Sequence, residues 1–169
     1  MSDPLPLEAY WMPYTGNRQF KRDPRIIVAA QDVWFTDDQG RQILDGHSGL
    51  WTSGLGHGHP EVSKAVTEQI ETLDFAPPFQ FGHPAAFQLA DKLRHLMPGD
   101  LDYVFFTNSG SESADTSLKM ARAYWRLKGQ PAKTRFIGRQ KGYHGVNYGG
   151  TAVGGIGANR KPFGPSLEV

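Results

Sequence analysis

The chain has 169 residues, 38% of them apolar, which falls inside the usual size range of a single globular domain. Eighteen Lys and Arg against 17 Asp and Glu leave a formal charge of +1, so neither a nucleic-acid nor an acidic-membrane partner is expected. Cysteine is absent, which excludes disulfides, thiolate chemistry and any Cys-ligated metal.

Residues 1–24 hold four prolines among Tyr10, Trp11, Tyr14 and Phe20. The prolines deny a long helix, and the aromatics predict an arm lying on another surface. Short strands are predicted at Ile26–Ala30, Val33–Thr36 and Gln42–Leu44, with Asp38-Gln39-Gly40 as the turn of a hairpin. Asp37-Asp38 reads as part of that turn rather than as an acid/base pair. Five glycines in residues 46–59 predict irregular backbone. Pro60 then suits a first helical position, and Val62, Val66, Ile70 and Leu73 follow at helical spacing. Asp74–Gly82 is a break rich in Pro and Phe. A second helix opens at Pro84, with Ala86, Ala90, Leu93 and Met97 on one face. Tyr103–Thr107 is predicted as a strand, Asn108–Ser111 as a turn, and about Glu112 to Leu127 as a third helix with Ala114, Leu118, Ala121 and Trp125 on one side. Arg135–Gly138 is predicted as a further strand, and the Gly-rich tail starts at Gly142. Strand, helix and strand in succession indicate an α/β fold with parallel connections.

The segment FFTNSGSES, residues 105–113, runs from strand through small residues into a helix start. Unpaired amides of Ser111, Glu112 and their neighbours, backed by the helix dipole, could cradle a phosphate, with the Ser109 and Ser111 hydroxyls as further donors. An ordinary capped turn, with Ser109 or Ser111 as N-cap, explains the same residues. The segment is not GxGxxG, so a dinucleotide-binding module is poorly supported. Tyr143-His144-Gly145 follows the last predicted strand, on the sheet edge where ligands bind in open α/β folds. There Tyr143 could stack on a planar cofactor, or it could be a packed core aromatic beside a hydrogen-bonded histidine. His57-Gly58-His59 lacks Cys or acidic partners at ligand spacing, so a turn is expected there rather than a metal site.

Taken together, WMPYTGNRQF (11–20), GRQILDGHSGLW (40–51), GHGHPEV (56–62), VFFTNSGSESADTSLKMAR (104–122) and GYHGVNYGG (142–150) resemble the class III, or omega, aminotransferases that use pyridoxal 5'-phosphate. Within them, the GLW segment and the YTGNRQF arm are similar to the omega-amino acid:pyruvate branch. The resemblance implies fold-type-I architecture in a homodimer with shared active sites. It divides the chain into an N-terminal arm and β-hairpin segment at 1–59, and the first part of the large cofactor-binding domain at 60–169. Ser109, Gly110 and Ser111 match the cofactor-phosphate loop, and Tyr143 matches the residue stacking on the pyridine ring, beside His144 and Gly145. Leu50 and Trp51 match the wall of the substrate pocket, and Tyr14 matches another of its aromatics. Phe79–His83 resembles the stretch lining the neighbouring subunit's pocket. Ser113 stands where many members carry Ala; both are small.

The implied reaction moves an amino group from an omega-amino acid or primary amine to pyruvate. The family's Schiff-base lysine lies downstream of residue 169, so no catalytic residue is assigned within the chain. A fragment of a longer enzyme, inactive alone, is expected. A same-fold aminomutase or decarboxylase and a non-catalytic phospho-ligand-binding or dimerising fragment are the alternatives. No metal is expected. No apolar stretch approaches the ~18 residues that cross a bilayer, and residues 1–11 lack the basic and apolar regions of a signal peptide, so a cytoplasmic location is expected.

Overall fold

The computed structural model describes residues 5–164. The chain forms two compact units, residues 1–82 and 83–169. Helix 60–72, which the family resemblance groups with the large domain, lies in the first of them.

The first unit opens with the arm, whose one regular piece among the described residues is the short helix α1 (Asn17–Phe20). Strands β1 (Ile27–Gln31), β2 (Trp34–Asp37) and β3 (Gln42–Leu44) form an antiparallel meander in chain order. Gln31 pairs with Trp34, and Trp34 with Leu44, so each connection is short and the register is fixed locally. The predicted strands are found within one residue at each end. The turn between β2 and β3 places Gly40 at φ 77°, in the left-handed region that glycine enters without steric cost. Asp37 closes that turn. One carboxylate oxygen accepts from the amides of Gln39 (3.0 Å) and Arg41 (2.8 Å), and the other accepts from Arg41 Nε (2.6 Å). Burial pushes the Asp37 carboxyl up, but these accepted bonds outweigh it and hold the group below the usual carboxylate range. Helix α2 (Pro60–Thr72) starts where proline sets the first helical φ.

The second unit contains α3 (Pro84–Arg94), α4 (Gly110–Leu127), α5 (Tyr148–Val153), α6 (Gly157–Arg160) and a 3-10 turn at Lys161–Phe163. Helix α3 stops at Arg94, short of Met97, and α4 begins at Gly110, two residues before the expected Glu112. The segments Tyr103–Thr107 and Arg135–Gly138, predicted as strands, form no ladder among the described residues. A hairpin strand finds its partner a few residues away, whereas a parallel strand needs neighbours brought from far along the chain. Neither segment has such a neighbour among the described residues, and Tyr103 and Ile137 stand 98% and 97% exposed.

The predicted helical stripes exist, but no hydrophobic side chain is buried among the described residues. Between residues 138 and 155 the backbone packs closely through glycine. A Cβ on Gly138 would strike the Val153 carbonyl, one on Gly150 the His144 carbonyl, and one on Gly155 the Arg139 carbonyl. Among the described residues no helix is long and apolar enough to cross a membrane.

Candidate functional site

Helix α4 is capped by the Ser109 hydroxyl, which accepts from the Glu112 amide at 3.1 Å. Glu112 returns the bond, its carboxylate accepting from the Asn108 amide at 2.8 Å. This reciprocal cap uses the Glu112 amide, which the sequence pattern offers to a phosphate. The amides of Gly110 and Ser111 have no acceptor among the described residues, and they lie at the positive end of an 18-residue helix. The cap therefore uses one amide and leaves two without an acceptor among the described residues. A Cβ at Gly110 would meet nothing within 4 Å, so the approach to these amides is open.

The loop after Arg135–Gly138 is brought to this helix start. The Val146 amide donates to Ser111 Oγ at 2.9 Å, and the Gly150 amide donates to Asp115 Oδ1 at 2.8 Å. As acceptors in these bonds, the Ser109 and Ser111 hydroxyls keep their own protons for a ligand. Gly145 makes the approach possible. Its φ is +97°, and a Cβ there would stand 2.6 Å from both Ser111 Cα and Oγ. Gly149 does the same beside Asp115, where a Cβ would lie 2.6 Å from the carboxylate. Tyr143 is 57% exposed, so it is not a packed core aromatic in this unit. The structure thus brings Ser109, Gly110 and Ser111 together with the Tyr143-His144-Gly145 loop.

In the first unit the pocket candidates sit on three separate loops. Tyr14 lies in a loop closed by Asn17, whose side chain accepts from the Met12 amide (2.8 Å) and donates to the carbonyls of Met12 and Thr15 (both 2.9 Å). Phe79 projects from the Pro-rich break and is exposed. Leu50 and Trp51 belong to a left-handed helical turn, Ser48–Trp51, with φ of 49°, 59°, 63° and 70° along its four residues. Its bonds run from the Trp51 amide to the His47 carbonyl (2.8 Å) and from the Thr52 amide to the Ser48 carbonyl (2.9 Å). Three of the four residues carry a Cβ, and for each this hand costs roughly 1–2 kcal/mol.

Sequence reasoning missed what holds the turn. Asp45 Oδ2 accepts from His57 Nε2 at 2.7 Å and from the Gly49 amide at 2.6 Å, and Oδ1 accepts from the His47 amide at 3.1 Å. The His57 hydrogen bond, then the two amides, hold the Asp45 carboxyl below the usual carboxylate range against the opposing effect of burial. His57 is therefore the partner of a carboxylate, and its ring also lies tilted at 45° against the Phe35 ring, centroids 4.6 Å apart. Among the described residues no three His, Cys, Asp or Glu side chains could hold a metal ion.

The family model "Aminotransferase class-III" matches residues 15–168. This chain belongs to the class III aminotransferases. It is 61% identical over all 169 residues to the beta-alanine–pyruvate aminotransferase of Pseudomonas aeruginosa, and spans 38% of that protein's length. To the omega-amino acid–pyruvate aminotransferase of Pseudomonas putida it is 57% identical over 168 residues, 99% of this chain and 37% of the relative. Its backbone is similar to the crystal structure of the omega transaminase from Pseudomonas jessenii in complex with PMP, with a TM-score of 0.91 at 35% identity, over 95% of this chain and 36% of that one. The chain therefore has the fold of the corresponding part of a fold-type-I enzyme, and the class uses pyridoxal phosphate. The open Gly110 and Ser111 amides and the two serine hydroxyls suit its phosphate group.

Proposed function

We propose that this chain carries the cofactor anchor and part of the substrate pocket of an omega-amino acid:pyruvate aminotransferase. The observation that carries the reading is the 61% identity to a beta-alanine–pyruvate aminotransferase, which runs over all 169 residues and so across every candidate segment. The geometry at the start of α4 supports it: two free amides, two hydroxyls with protons to give, and open space above Gly110. Pyridoxal phosphate, when bound, supplies the electron sink for the transfer. The chain's own residues bind and orient. The Gly110 and Ser111 amides and the Ser109 and Ser111 hydroxyls hold the phosphate. Tyr143 lies against the pyridine ring, with His144 and Gly145 setting the loop that carries it. Leu50, Trp51, Tyr14 and Phe79 line the substrate pocket and keep water from it, with Phe79 serving the site of a second subunit in a homodimer.

The lysine that moves the proton is assigned outside these residues. None of the lysines in the sequence, from Lys21 to Lys161, stands in the family's lysine context. The test is alanine formation by the intact protein, loaded with pyridoxal phosphate and given beta-alanine and pyruvate. Turnover dependent on both substrates supports the reading. Cofactor retention without alanine would point instead to a same-fold aminomutase or decarboxylase. The 169-residue chain alone is expected to form no alanine, and turnover by it would refute the assignment of the lysine.

A further inference from the structure

We propose that Asp45 and His57 are positioning residues for substrate choice: their side-chain bond latches the left-handed turn Ser48–Trp51, and so sets where Leu50 and Trp51 stand. The substrate-choice half of this rests on the reading of Leu50 and Trp51 as pocket wall. The latch itself rests only on geometry.

Both latch partners are tied by backbone to the hairpin. The Asp45 amide donates to the Val33 carbonyl at 2.8 Å. His57 exchanges two backbone bonds with Asp32, at 2.7 and 2.9 Å. The turn between them has no backbone bond to the hairpin; its backbone bonds join its own neighbours. Its attachment to the sheet is therefore the Asp45 carboxylate, which accepts at both ends of the turn's entry, from His47 and Gly49, while His57 fixes the carboxylate from the far side. The side chains of Asp45 and His57 are 6% and 16% exposed, so water competes little for the bond. Trp51, by contrast, is 83% exposed: its place is set by the backbone turn, not by packing around its ring. A turn in a disfavoured hand persists only when its surroundings over-determine it.

The carboxylate is used in full. All three groups facing it are donors, so Asp45→Asn must turn its NH2 toward at least one N–H whichever way the amide is placed. At position 57, Gln can carry an N–H to roughly the place of Nε2, whereas Asn stops near Nδ1. Both lose the tilted ring contact with Phe35, so the pair isolates the hydrogen bond from the ring contact. Ser48→Gly removes one of the three Cβ atoms that oppose the left-handed turn, and glycine enters that region freely.

The experiment labels the intact protein with 5-fluorotryptophan and follows the Trp51 fluorine signal, assigned by Trp51→Phe. In parallel, kcat/KM is measured for beta-alanine and for a bulky arylalkyl amine. His57→Gln should keep the Trp51 signal and the ratio between the two amines. His57→Asn and Asp45→Asn should shift or broaden the signal and change the ratio about tenfold, a size typical of an altered pocket wall. Adding Ser48→Gly to His57→Asn should move both readouts back toward the wild type. An unmoved Trp51 signal in His57→Asn and Asp45→Asn overturns the latch, even if activity falls uniformly for all amines. An unchanged ratio in Trp51→Ala overturns the pocket assignment and the substrate-choice half with it, while the fluorine signal still decides the latch.

Discussion

Gly145→Ala isolates the junction on which the candidate phosphate site depends. The residue sits at φ +97°, where a side chain brings a penalty of about 1–3 kcal/mol. Its new methyl would stand 2.6 Å from Ser111 Cα and 2.9 Å from Ser111 Cβ, and helix α4 cannot yield backbone atoms cheaply. The loop would retreat instead, giving up the 2.9 Å bond from the Val146 amide to Ser111, worth about 0.5–1.5 kcal/mol. Relaxation lets the loop escape the full overpacking cost, so the expected loss is about 2–4 kcal/mol of local stability. The same retreat carries Tyr143 and His144 away from the helix start. Cofactor affinity should therefore fall about 10- to 100-fold, roughly 1.4 kcal/mol for each factor of ten. Denaturant melts and a pyridoxal phosphate titration of the intact protein measure the two effects. Gly46→Ala is the control, because Gly46 has ordinary φ and its new methyl would find nothing within 4 Å. If Gly145→Ala melts like this control and binds the cofactor as the wild type does, the close approach to Ser111 is not what forms the site.

Gly110→Val should abolish phosphate-dependent cofactor binding by filling the open approach to the Gly110 and Ser111 amides, while leaving helix α4 folded; retained binding in an equilibrium titration would remove the phosphate from this helix start. Tyr143→Ala should weaken cofactor retention by roughly 1–2 kcal/mol, the scale of a lost aromatic stack with its packing; an unchanged dissociation constant would make Tyr143 a bystander. Asp37 gives a pH test with a defined sign. Its carboxyl is held below the usual range in the fold, so the bonds it accepts are fully present above the ordinary carboxylate pKa and are lost as pH falls through the lowered one. Acid melts monitored at the β2–β3 hairpin should show that late loss of stability, and Asp37→Asn should remove the dependence; identical acid profiles would refute it.

How much was legible depended on how far apart the partners lie. The β2–β3 hairpin could be read to within one residue because Asp38-Gln39-Gly40 and its strands are neighbours in sequence. The helix starts at Pro60 and Pro84 were equally readable, since proline both sets φ and dispenses with an amide. Contacts between residues 35 apart were not. Gly145 and Gly149 lie in the Gly-rich tail, and the resemblance puts Gly145 in the cofactor loop, but the sequence does not show that each is a place where only a hydrogen fits against α4. The left-handed turn was hidden as well. Of Ser48, Gly49, Leu50 and Trp51 only the glycine favours that hand, so local propensity pointed to mere irregularity. His57 was weighed as a metal ligand and set aside for want of ligand spacing, but its partner Asp45, 12 residues back, was beyond what spacing can reveal. The start of α4 was legible in part: Ser109 is the N-cap its residue type suggests, while the Glu112 amide, which the pattern also offers to an anion, is taken up by that cap.

The stability of these pieces is therefore divided in an unusual way. Among the described residues the apolar side chains stay open, from the α2 stripe of Val62, Val66 and Ile70 to Phe105 and Phe106 just before the start of α4. Patches of that kind mark surfaces built to be covered. The contacts that do exist are short and polar: the Asp37 clip, the Asp45–His57 pair, the Asn17 loop and the reciprocal cap at Ser109 and Glu112. Hydrophobic burial is non-directional and grows with area, whereas each polar clip fixes one backbone geometry. The two are separable here. Loss of a clip should misplace a site residue while leaving the apolar faces as they are, and a polar substitution on an apolar face should weaken assembly while leaving the local geometry of α4 and its loop intact. The candidate site is thus fixed by polar and close backbone contacts, some between residues 35 apart, that draw on no buried apolar side chain among the described residues.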